Sequence, residues 1–236
     1  MDAVAPLISI VVPAHNEEAL LGATLDALRG AAAALGETHE ILVVDDHSTD
    51  RTAEIARAGG ARVVSTDVRQ IAAARNVGAR ASLGDFLVFV DADTIVSAAS
   101  LRAAVDTLRG GAVGGGSLAV FEPEAPRWAH RTIAFAAWIM RLVQWAPGCF
   151  FFARRDAFER AGGFDERYFA SEEIHLSRAL KRHGRFVVLP GSVLTSARKA
   201  EHYSMTRTLW LMLRMAWPGS LRTREGLEFW YTRHHK

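Results

Sequence analysis

Two aspartates separated by one alanine, Asp91 and Asp93 in the segment FLVFVDADT, are the residues of this chain best suited to chemistry. They follow five apolar residues, Phe86–Val90, which are typical of a buried strand. Side chains at i and i+2 of an extended segment point the same way, so we expect the two carboxylates to project together. Mg²⁺ and Mn²⁺ take one or two carboxylates and complete their coordination with phosphate and water. The spacing therefore predicts a metal that carries a diphosphate; the alternative is one helix-capping and one solvated aspartate.

Polar residues also follow the other strands predicted in the first half of the chain. Ile8–Val12 runs into PAHNEE, Ile41–Val44 runs into DDHSTD, and Arg62–Ser65 is followed after a short interval by Arg75. Ligands of open parallel sheets bind outside the carboxyl ends of the strands. Carboxylates can accept hydrogen bonds from a base or a ribose, and arginine can bind phosphate. These residues together predict a site for a nucleotide and a metal at one edge of a sheet.

The elements that must position these residues alternate between strand and helix. Apolar residues at helical spacing predict helices in EEALLGATLDALRGAAAALG, in STDRTAEIARAGG and at Ile71–Ser82. This alternation predicts a parallel sheet covered by helices. Beyond residue 110 the pattern is irregular, with strands expected around Gly114–Val120 and at Phe186–Leu189 and helices around Trp128–Trp145 and in SEEIHLSRALKRHGR. No element is assigned to CFFFARRDAFERAGGFDE.

Composition limits the class of protein. The chain has 236 residues, a size typical of one domain or of one domain with an appendage, and its net charge of +2 is too near neutral to indicate nucleic-acid binding. Cys149 is the single cysteine, which excludes an intrachain disulfide and favours a reducing compartment. The first residues lack a basic n-region, and no segment reaches 18 apolar residues. We therefore predict a cytoplasmic protein.

Four segments in a fixed order carry a more specific signal. VVPAHNEE, VVDDHSTDRT, AAARNVGARASLGDFLVFVDADT and GGFDERYFASEEIHLSRAL resemble the motifs of the inverting family 2 glycosyltransferases. The resemblance covers about residues 7–190. It implies an α/β fold with a single glycosyltransferase-A domain, built on a mostly parallel central sheet flanked by helices. We place this catalytic domain over residues 1–204.

The resemblance also implies an activity. The chain would be a hexosyltransferase that moves one sugar from a nucleotide-diphosphate sugar to a hydroxyl acceptor and depends on Mn²⁺ or Mg²⁺. UDP-sugar is the default donor, with GDP and dTDP sugars as alternatives. The acceptor stays open, and a lipid-linked hydroxyl is one alternative. A nucleotide-sugar-binding protein without transferase activity and a nucleotidyltransferase are the competing classes.

Residue roles follow from the same resemblance. Two positions would bind metal: Asp93 as a ligand, and Asp91 as a ligand or as a contact to ribose. A histidine on a late loop, His202, would be a third metal ligand. The remaining positions would bind the donor: Pro13, Glu17 and Asp46 line the nucleoside pocket with Asp45 beside it, Arg75 lies near the base or diphosphate, and Arg198 and Lys199 close over the diphosphate.

The catalytic base is expected in an acidic pair at the start of the late helix, Glu172 and Glu173. The family pattern is Glu-Asp-x-Asp-Leu, whereas this chain has Glu-Glu-Ile-His-Leu, so His175 stands where an aspartate is customary. The register favours Glu173 as the base but leaves Glu172 open. Both glutamates also suit the first turn of a helix for electrostatic reasons, with Ser171 as the expected N-cap.

The last 32 residues, 205–236, interleave aromatic and basic residues in TRTLWLMLRMAWPGSLRTREGLEFWYTRHHK. Segments of this kind can lie in a lipid headgroup interface, with rings at the boundary and cations on anionic lipid. We predict a C-terminal amphipathic helical tail. It either makes peripheral contact with anionic membrane at the inner face or packs on the catalytic domain, and the sequence leaves both open.

Overall fold

A computed structural model describes residues 6–123 and 125–196. Eight strands and seven helices occupy these described residues. The strands are β1 (Ile8–Ala14), β2 (His39–Asp46), β3 (Arg62–Thr66), β4 (Phe86–Val90), β5 (Thr94–Ile95), β6 (Gly114–Phe121), β7 (Phe150–Arg154) and β8 (Phe186–Thr195). The helices are α1 (Leu21–Leu35), α2 (Thr52–Ala58), α3 (Ile71–Ala81), α4 (Ala98–Arg109), α5 (Arg127–Val143), α6 (Arg155–Arg160) and α7 (Glu172–Leu180).

All eight strands belong to one sheet, in the order β3-β2-β1-β4-β7-β6-β8-β5. The four strands β3, β2, β1 and β4 are mutually parallel, and β6 is parallel to β8. β7 is antiparallel to both of its neighbours, and β5 is antiparallel to β8. The prediction of an α/β domain with a mostly parallel sheet flanked by helices is therefore confirmed.

Continuous apolar strands bury both faces of this sheet. All seven residues of β1 are buried, and alternate positions of the strand serve different cores. Ile10 and Val12 pack in the core that includes residues of α1 and α4, whereas Val11 packs in the core that includes residues of α3, α6 and α7. A strand covered on both faces has apolar residues at nearly every position, which is why β1 shows no alternation in sequence. The exception, Ser9, donates its hydroxyl to Glu40.

Four elements were not predicted, and one of them is helix α6, which lies in the segment CFFFARRDAFERAGGFDE. Helix α4 and the two-residue strand β5 lie between the predicted fourth strand and the glycine-rich strand. Strand β7 lies in the segment to which no element was assigned, and it pairs with β4 in the register Val90↔Phe150. Sequence order gives no sign that β7 enters the sheet between β4 and β6, because that pairing joins segments about 60 residues apart.

Several predictions fall outside the described residues. These are the roles of Arg198, Lys199 and His202, the boundary at residue 204, and the tail over 205–236. Within the described ranges, no helix combines the length and the hydropathy needed to cross a membrane.

Candidate functional site

A buried arginine stands at the centre of the site. Arg75 of α3 is 2% exposed, and its guanidinium binds two carboxylates: Nη2 lies 2.7 Å from Asp91 Oδ1 and Nη1 lies 2.5 Å from Glu172 Oε1. Nη2 also donates to the carbonyl oxygen of Gly148 at 3.1 Å. Arg75 therefore joins the end of β4 to the start of α7.

The surroundings of the guanidinium leave it little freedom. A Cβ atom at Gly148 would lie 2.7 Å from Nη2 of Arg75, so any larger residue would push the guanidinium aside. The ring of Phe164 lies 5.2 Å from Arg75 Cζ, within the range of a cation–π contact. Among the described residues, Arg75 Nε has no hydrogen-bond partner although it is buried. The close packing fixes the orientation of Arg75 in spite of that missing partner.

Two amides, Gln70 directly before α3 and Asn76 in the middle of α3, hold the segment that precedes α7. The side-chain amide of Gln70 donates to the carbonyl oxygens of Glu166 and Tyr168, at 2.6 and 3.1 Å. Asn76 donates to the carbonyl oxygen of Phe164 at 2.8 Å and accepts from the N–H of the same residue at 3.0 Å. These contacts fix residues 164–168 against α3, and so they set where α7 begins. Neither amide was assigned this role from the sequence, since both partners lie about 90 residues further along the chain.

Asp91 and Asp93 lie in a turn after β4, not on an extended strand. β4 ends at Val90, and the N–H of Thr94 donates to the carbonyl oxygen of Asp91 at 3.1 Å. The reason given for their common direction, strand alternation, is therefore wrong. Asp91 is held by the N–H of its own backbone, which donates to the carbonyl oxygen of Cys149, and by Arg75.

The acidic pair divides into two environments. Glu172 is 3% exposed and forms the ion pair with Arg75, whereas Glu173 is half-buried. Burial raises the pKa of Glu172 and Arg75 opposes that rise. Burial raises the pKa of Glu173 to about 8, and the negative charge of Glu172 adds to the effect. Glu172 is thus the carboxyl paired with Arg75, and the raised pKa of Glu173, about 8, makes it the carboxyl better suited to exchange a proton near neutral pH.

The arginine reflects the same balance of charge. Burial alone would lower the pKa of Arg75, but the carboxylates of Asp91 and Glu172 raise it above its ordinary value. Two carboxylates compensate the charge of this buried cation, so removing any one of the three groups would leave a buried charge without its partner. Glu173 follows one member of this bridge directly in the chain.

One sequence expectation about α7 needs revision. Ser171 precedes the helix with a left-handed φ of 63°, and its side chain makes no capping hydrogen bond, so it is not the predicted side-chain N-cap. His175, at the position where the family pattern has aspartate, stacks on Tyr168 with ring centroids 3.8 Å apart. The stacked pair packs the first turn of α7 against the segment that Gln70 holds.

The residues assigned to the nucleoside pocket lie at the ends of β1 and β2. Pro13 is buried in β1 beside Val44 of β2. The N–H of Glu17 donates to Thr52 Oγ1 at 2.8 Å, which ties the β1–α1 loop to the start of α2. The same two loops are joined by the N–H of Asn16, which donates to Ser48 Oγ at 3.0 Å. The sheet thus brings these strand ends together as expected, and their contact with a nucleoside stays a prediction.

Asp46 has a structural role that was not foreseen. Its Oδ1 accepts from the N–H groups of Val68 and Arg69, both at 2.9 Å, and its Oδ2 accepts from the N–H of Gln70 at 3.2 Å. Asp45 accepts more weakly, from the N–H of Ser48 at 3.3 Å. Asp46 therefore closes the loop before α3, and Gln70 links that loop to the segment before α7.

The donor set suits a hard cation only in part. Among residues 6–123 and 125–196, no three His, Cys, Asp or Glu side chains are grouped so as to hold a metal. Asp91 and Asp93 supply the carboxylate oxygens that Mg²⁺ and Mn²⁺ prefer, and these ions commonly take only one or two protein carboxylates. The nearby Cys149 is buried, and its burial together with the carboxylates of Asp91 and Asp93 raises the pKa of its thiol. An ion held by these two carboxylates alone would need further ligands such as diphosphate and water, and its binding here stays a prediction.

Comparison with known proteins identifies the family of the chain. A family model described as glycosyl transferase family 2 matches residues 9–166, more than half of the chain. Validoxylamine A glucosyltransferase of Streptomyces hygroscopicus subsp. jinggangensis is 29% identical over 221 residues, covering 76% of this chain and 52% of the relative. Undecaprenyl-phosphate 4-deoxy-4-formamido-L-arabinose transferase of Pseudomonas aeruginosa is 39% identical over 95 residues, covering 37% and 28%. The chain spans about half the length of the first relative and less of the second.

Solved structures show the same fold at lower identity. Mannosyltransferase PcManGT from Pyrobaculum calidifontis, in complex with GDP-Man and Mn²⁺, superposes with a TM-score of 0.63 at 23% identity, covering 81% of this chain and 57% of that one. S. aureus TarS 1-349, in complex with UDP-GlcNAc, gives 0.60 at 20% identity, covering 88% and 64%. The likeness confirms the predicted glycosyltransferase-A domain.

Proposed function

Because this chain belongs to glycosyl transferase family 2 and is a glycosyltransferase, we propose that it moves one sugar, with inversion, from a nucleotide-diphosphate sugar to a hydroxyl acceptor. The observation that carries the proposal is the bridge made by Arg75 between Asp91 and Glu172. It fixes one carboxylate of each acidic motif and leaves Glu173 as the carboxyl that can exchange a proton. One arginine thus ties the predicted donor end of the site to Glu172, the residue before the proposed base.

Glu173 is the proposed general base. It accepts the proton of the acceptor hydroxyl as the hydroxyl oxygen bonds to the anomeric carbon and the bond from that carbon to the diphosphate breaks on the opposite face. A general base works best when its pKa lies near the operating pH, and the raised pKa of Glu173 meets that condition. Glu172 is less suited, since its carboxylate is already bound to Arg75.

Asp91 and Asp93 are the proposed protein ligands of Mn²⁺ or Mg²⁺. When bound, such an ion stabilises the negative charge that develops on the leaving diphosphate. Arg75 holds Oδ1 of Asp91, so the orientation of this ligand is set before the ion arrives. The Mn²⁺ named in the PcManGT complex supports this choice of metal.

Donor and acceptor classes are proposed from the relatives. The neighbours were solved with GDP-Man and with UDP-GlcNAc, which supports a nucleotide-diphosphate sugar. We keep UDP-sugar as the default donor. The undecaprenyl-phosphate transferase supports a lipid-linked acceptor, whereas the validoxylamine A glucosyltransferase supports a small polar one.

The test is a panel of UDP, GDP and dTDP sugars, each added to the protein with Mn²⁺. A ligand that binds only the folded state adds about 2.7 kcal/mol of stability at 100 times its Kd, which a thermal melt detects. The donor found in this way is then incubated with a lipid-linked and with a water-soluble hydroxyl acceptor. Stabilisation by a donor without transfer to any acceptor would favour the binding protein over the enzyme, and no stabilisation would contradict both.

We expect Asp93→Ala to remove the effect of Mn²⁺ on donor binding and to leave the fold intact. The side chain lies in a surface turn, so its loss costs little packing, whereas the ion loses one of two proposed ligands. Calorimetric titration of the nucleotide diphosphate with and without Mn²⁺ measures the effect. Asp26→Ala, which removes an exposed carboxylate from α1, is the control. Undiminished metal enhancement in Asp93→Ala would remove this residue from the site.

We expect the stability of the free protein to depend on the ionisation of Glu173. The folded state raises its pKa from an ordinary value of 4.5 to about 8. Below pH 4.5 the carboxyl is protonated in both the folded and the unfolded state. Between pH 4.5 and about 8 the unfolded state releases a proton that the folded state keeps, so the free energy of unfolding falls as the pH rises. Relative to Glu173→Gln, which cannot ionise, the wild-type protein should lose stability across that window. Parallel pH curves for the two proteins would contradict the raised pKa.

A further inference from the structure

Helix α5 presents its larger apolar side chains to the outside of the fold. Phe135, Trp138 and Leu142 are 59%, 63% and 70% exposed. Within this helix, Ala129 is the one buried residue, and Ala137 and Met140 pack partly against the core. A surface helix of a soluble domain normally turns its larger apolar residues inward. In α5 several of the largest apolar side chains lie instead on the solvent side.

The exposed residues form one continuous stripe. Phe135, Trp138, Ile139 and Leu142 follow the spacing i, i+3, i+4 and i+7, which places them on the same side of a helix. The rings of Phe135 and Trp138 stack with centroids 6.1 Å apart. Contiguous exposed apolar surface of this kind marks a site of interaction, whereas single exposed residues do not.

The charge along α5 is of one sign. Arg127 and Arg131 continue the row of the stripe towards the start of the helix, and Arg141 lies near its end. All three are exposed, and no Asp or Glu occurs between residues 125 and 155. The surface therefore combines large apolar side chains with arginines and has no acid of its own.

We propose that this outer face of α5, defined by Arg127, Arg131, Phe135, Trp138 and Leu142, docks on an anionic lipid surface. Aromatic and aliphatic side chains of an interfacial helix enter the boundary between headgroups and acyl chains, and its cations bind the phosphates. The choice of lipid rests on charge, since an acid-free, arginine-bearing apolar stripe is complementary to anionic headgroups. The inference concerns residues that take no part in the proposed chemistry, so it does not depend on the proposed function.

Helix α5 lies close in sequence to the site around Arg75. The helix ends at Val143, and the following loop reaches the carbonyl oxygen of Gly148, which accepts from Arg75. Within that loop, the ring of Trp145 lies 4.5 Å from Arg178 Cζ of α7. If α5 docks on a lipid surface, only the short loop after Val143 separates the docked helix from the residue that contacts Arg75.

The experiment measures binding of the full chain to sedimenting vesicles of phosphatidylglycerol and of phosphatidylcholine at low salt. We expect binding to the anionic vesicles alone. The double variant Trp138→Ser, Leu142→Ser should weaken it by on the order of tenfold or more, because two apolar side chains no longer enter the interface. The double variant Arg127→Gln, Arg131→Gln should weaken it by about 30-fold, which corresponds to about 1 kcal/mol per cation.

Two matched variants control for surface effects. Leu83→Ser removes a leucine that is 69% exposed in a different part of the fold, and Arg57→Gln removes an exposed arginine of α2. Both should bind vesicles like the wild-type protein. Thermal melts of every variant establish that it is folded before binding is compared.

Three results would overturn the proposal. If the α5 variants bind vesicles like the wild type, the binding resides elsewhere, for example in residues 205–236. If the wild type does not bind anionic vesicles and the double variant Trp138→Ser, Leu142→Ser melts at a temperature well below that of Leu83→Ser, another part of the chain covers the stripe. If the wild type ignores vesicles and dimerises through a contact that the same variant abolishes, the stripe binds a second copy.

Discussion

Replacing Glu173 by glutamine should lower kcat by on the order of 10²–10⁴-fold, the range that a positioned general base contributes. The amide keeps the shape of the side chain but cannot accept the proton of the acceptor hydroxyl. Donor binding should survive, because Asp91, Asp93 and the strand-end residues are unchanged. Single-turnover transfer with saturating donor measures the chemical step, and calorimetry measures donor affinity separately.

Glu172→Gln is the matched control, since it is the same substitution one residue away. Glu172 forms the buried ion pair with Arg75. The main effect of Glu172→Gln should therefore be a loss of stability, because the buried cation has one partner fewer. Glu173→Gln should melt at or above the wild-type temperature near pH 8, because it removes a carboxyl that folding prefers to keep protonated. A folded Glu172→Gln without turnover, beside an active Glu173→Gln, would move the base to Glu172.

The parts of the fold that could be predicted are those that depend on local pattern. β1, β4 and the second half of β2 are buried on both faces, so their sequences are mostly apolar runs that are followed by polar residues. Their parallel order follows from the helices between them. The prediction of acidic strand ends on one edge needed nothing more than this.

The parts that could not be predicted depend on contacts between distant segments. Arg75 was assigned to the base or diphosphate because arginine suits phosphate, but its observed partners include Glu172, which is 97 residues away. Nothing local marks Gly148 as the residue whose missing Cβ makes room for the guanidinium. Sequence patterns identify residues with the right chemistry, whereas the pairing of their charges is decided by tertiary structure.

Backbone conformation accounts for the remaining differences. His47, in the Asp-Asp-x-Ser motif, and Ser171, before α7, both have left-handed φ values, 58° and 63°. Residues other than glycine adopt the left-handed region rarely, so neither a histidine nor a serine in the sequence indicated this conformation. The left-handed turn at Ser171 explains why a good capping residue makes no capping hydrogen bond there.

Arg75→Leu should lower the free energy of unfolding by about 3–5 kcal/mol at neutral pH, the cost of removing one member of a buried ionic group. Leucine fills part of the volume but leaves Glu172 buried without its cation, so the folded pKa of Glu172 should rise further. A carboxyl whose pKa is raised by folding destabilises the protein more as the pH rises and less as it falls. The stability lost in Arg75→Leu should therefore shrink towards acid pH, which denaturant unfolding between pH 5 and pH 8 measures.

Arg155→Leu provides the comparison. Arg155 is half-buried and, unlike Arg75, donates mainly to neutral oxygens, those of Gly84, Ala79 and Ser82. Its removal should destabilise the protein with little dependence on pH. Arg75→Lys keeps the charge but cannot donate to Asp91 and Glu172 as a planar fork, so it should recover part of the stability and little of the turnover. Equal, pH-independent losses in Arg75→Leu and Arg155→Leu would mean that Arg75 contributes only packing, and the bridge between the two acidic motifs would then carry no energy.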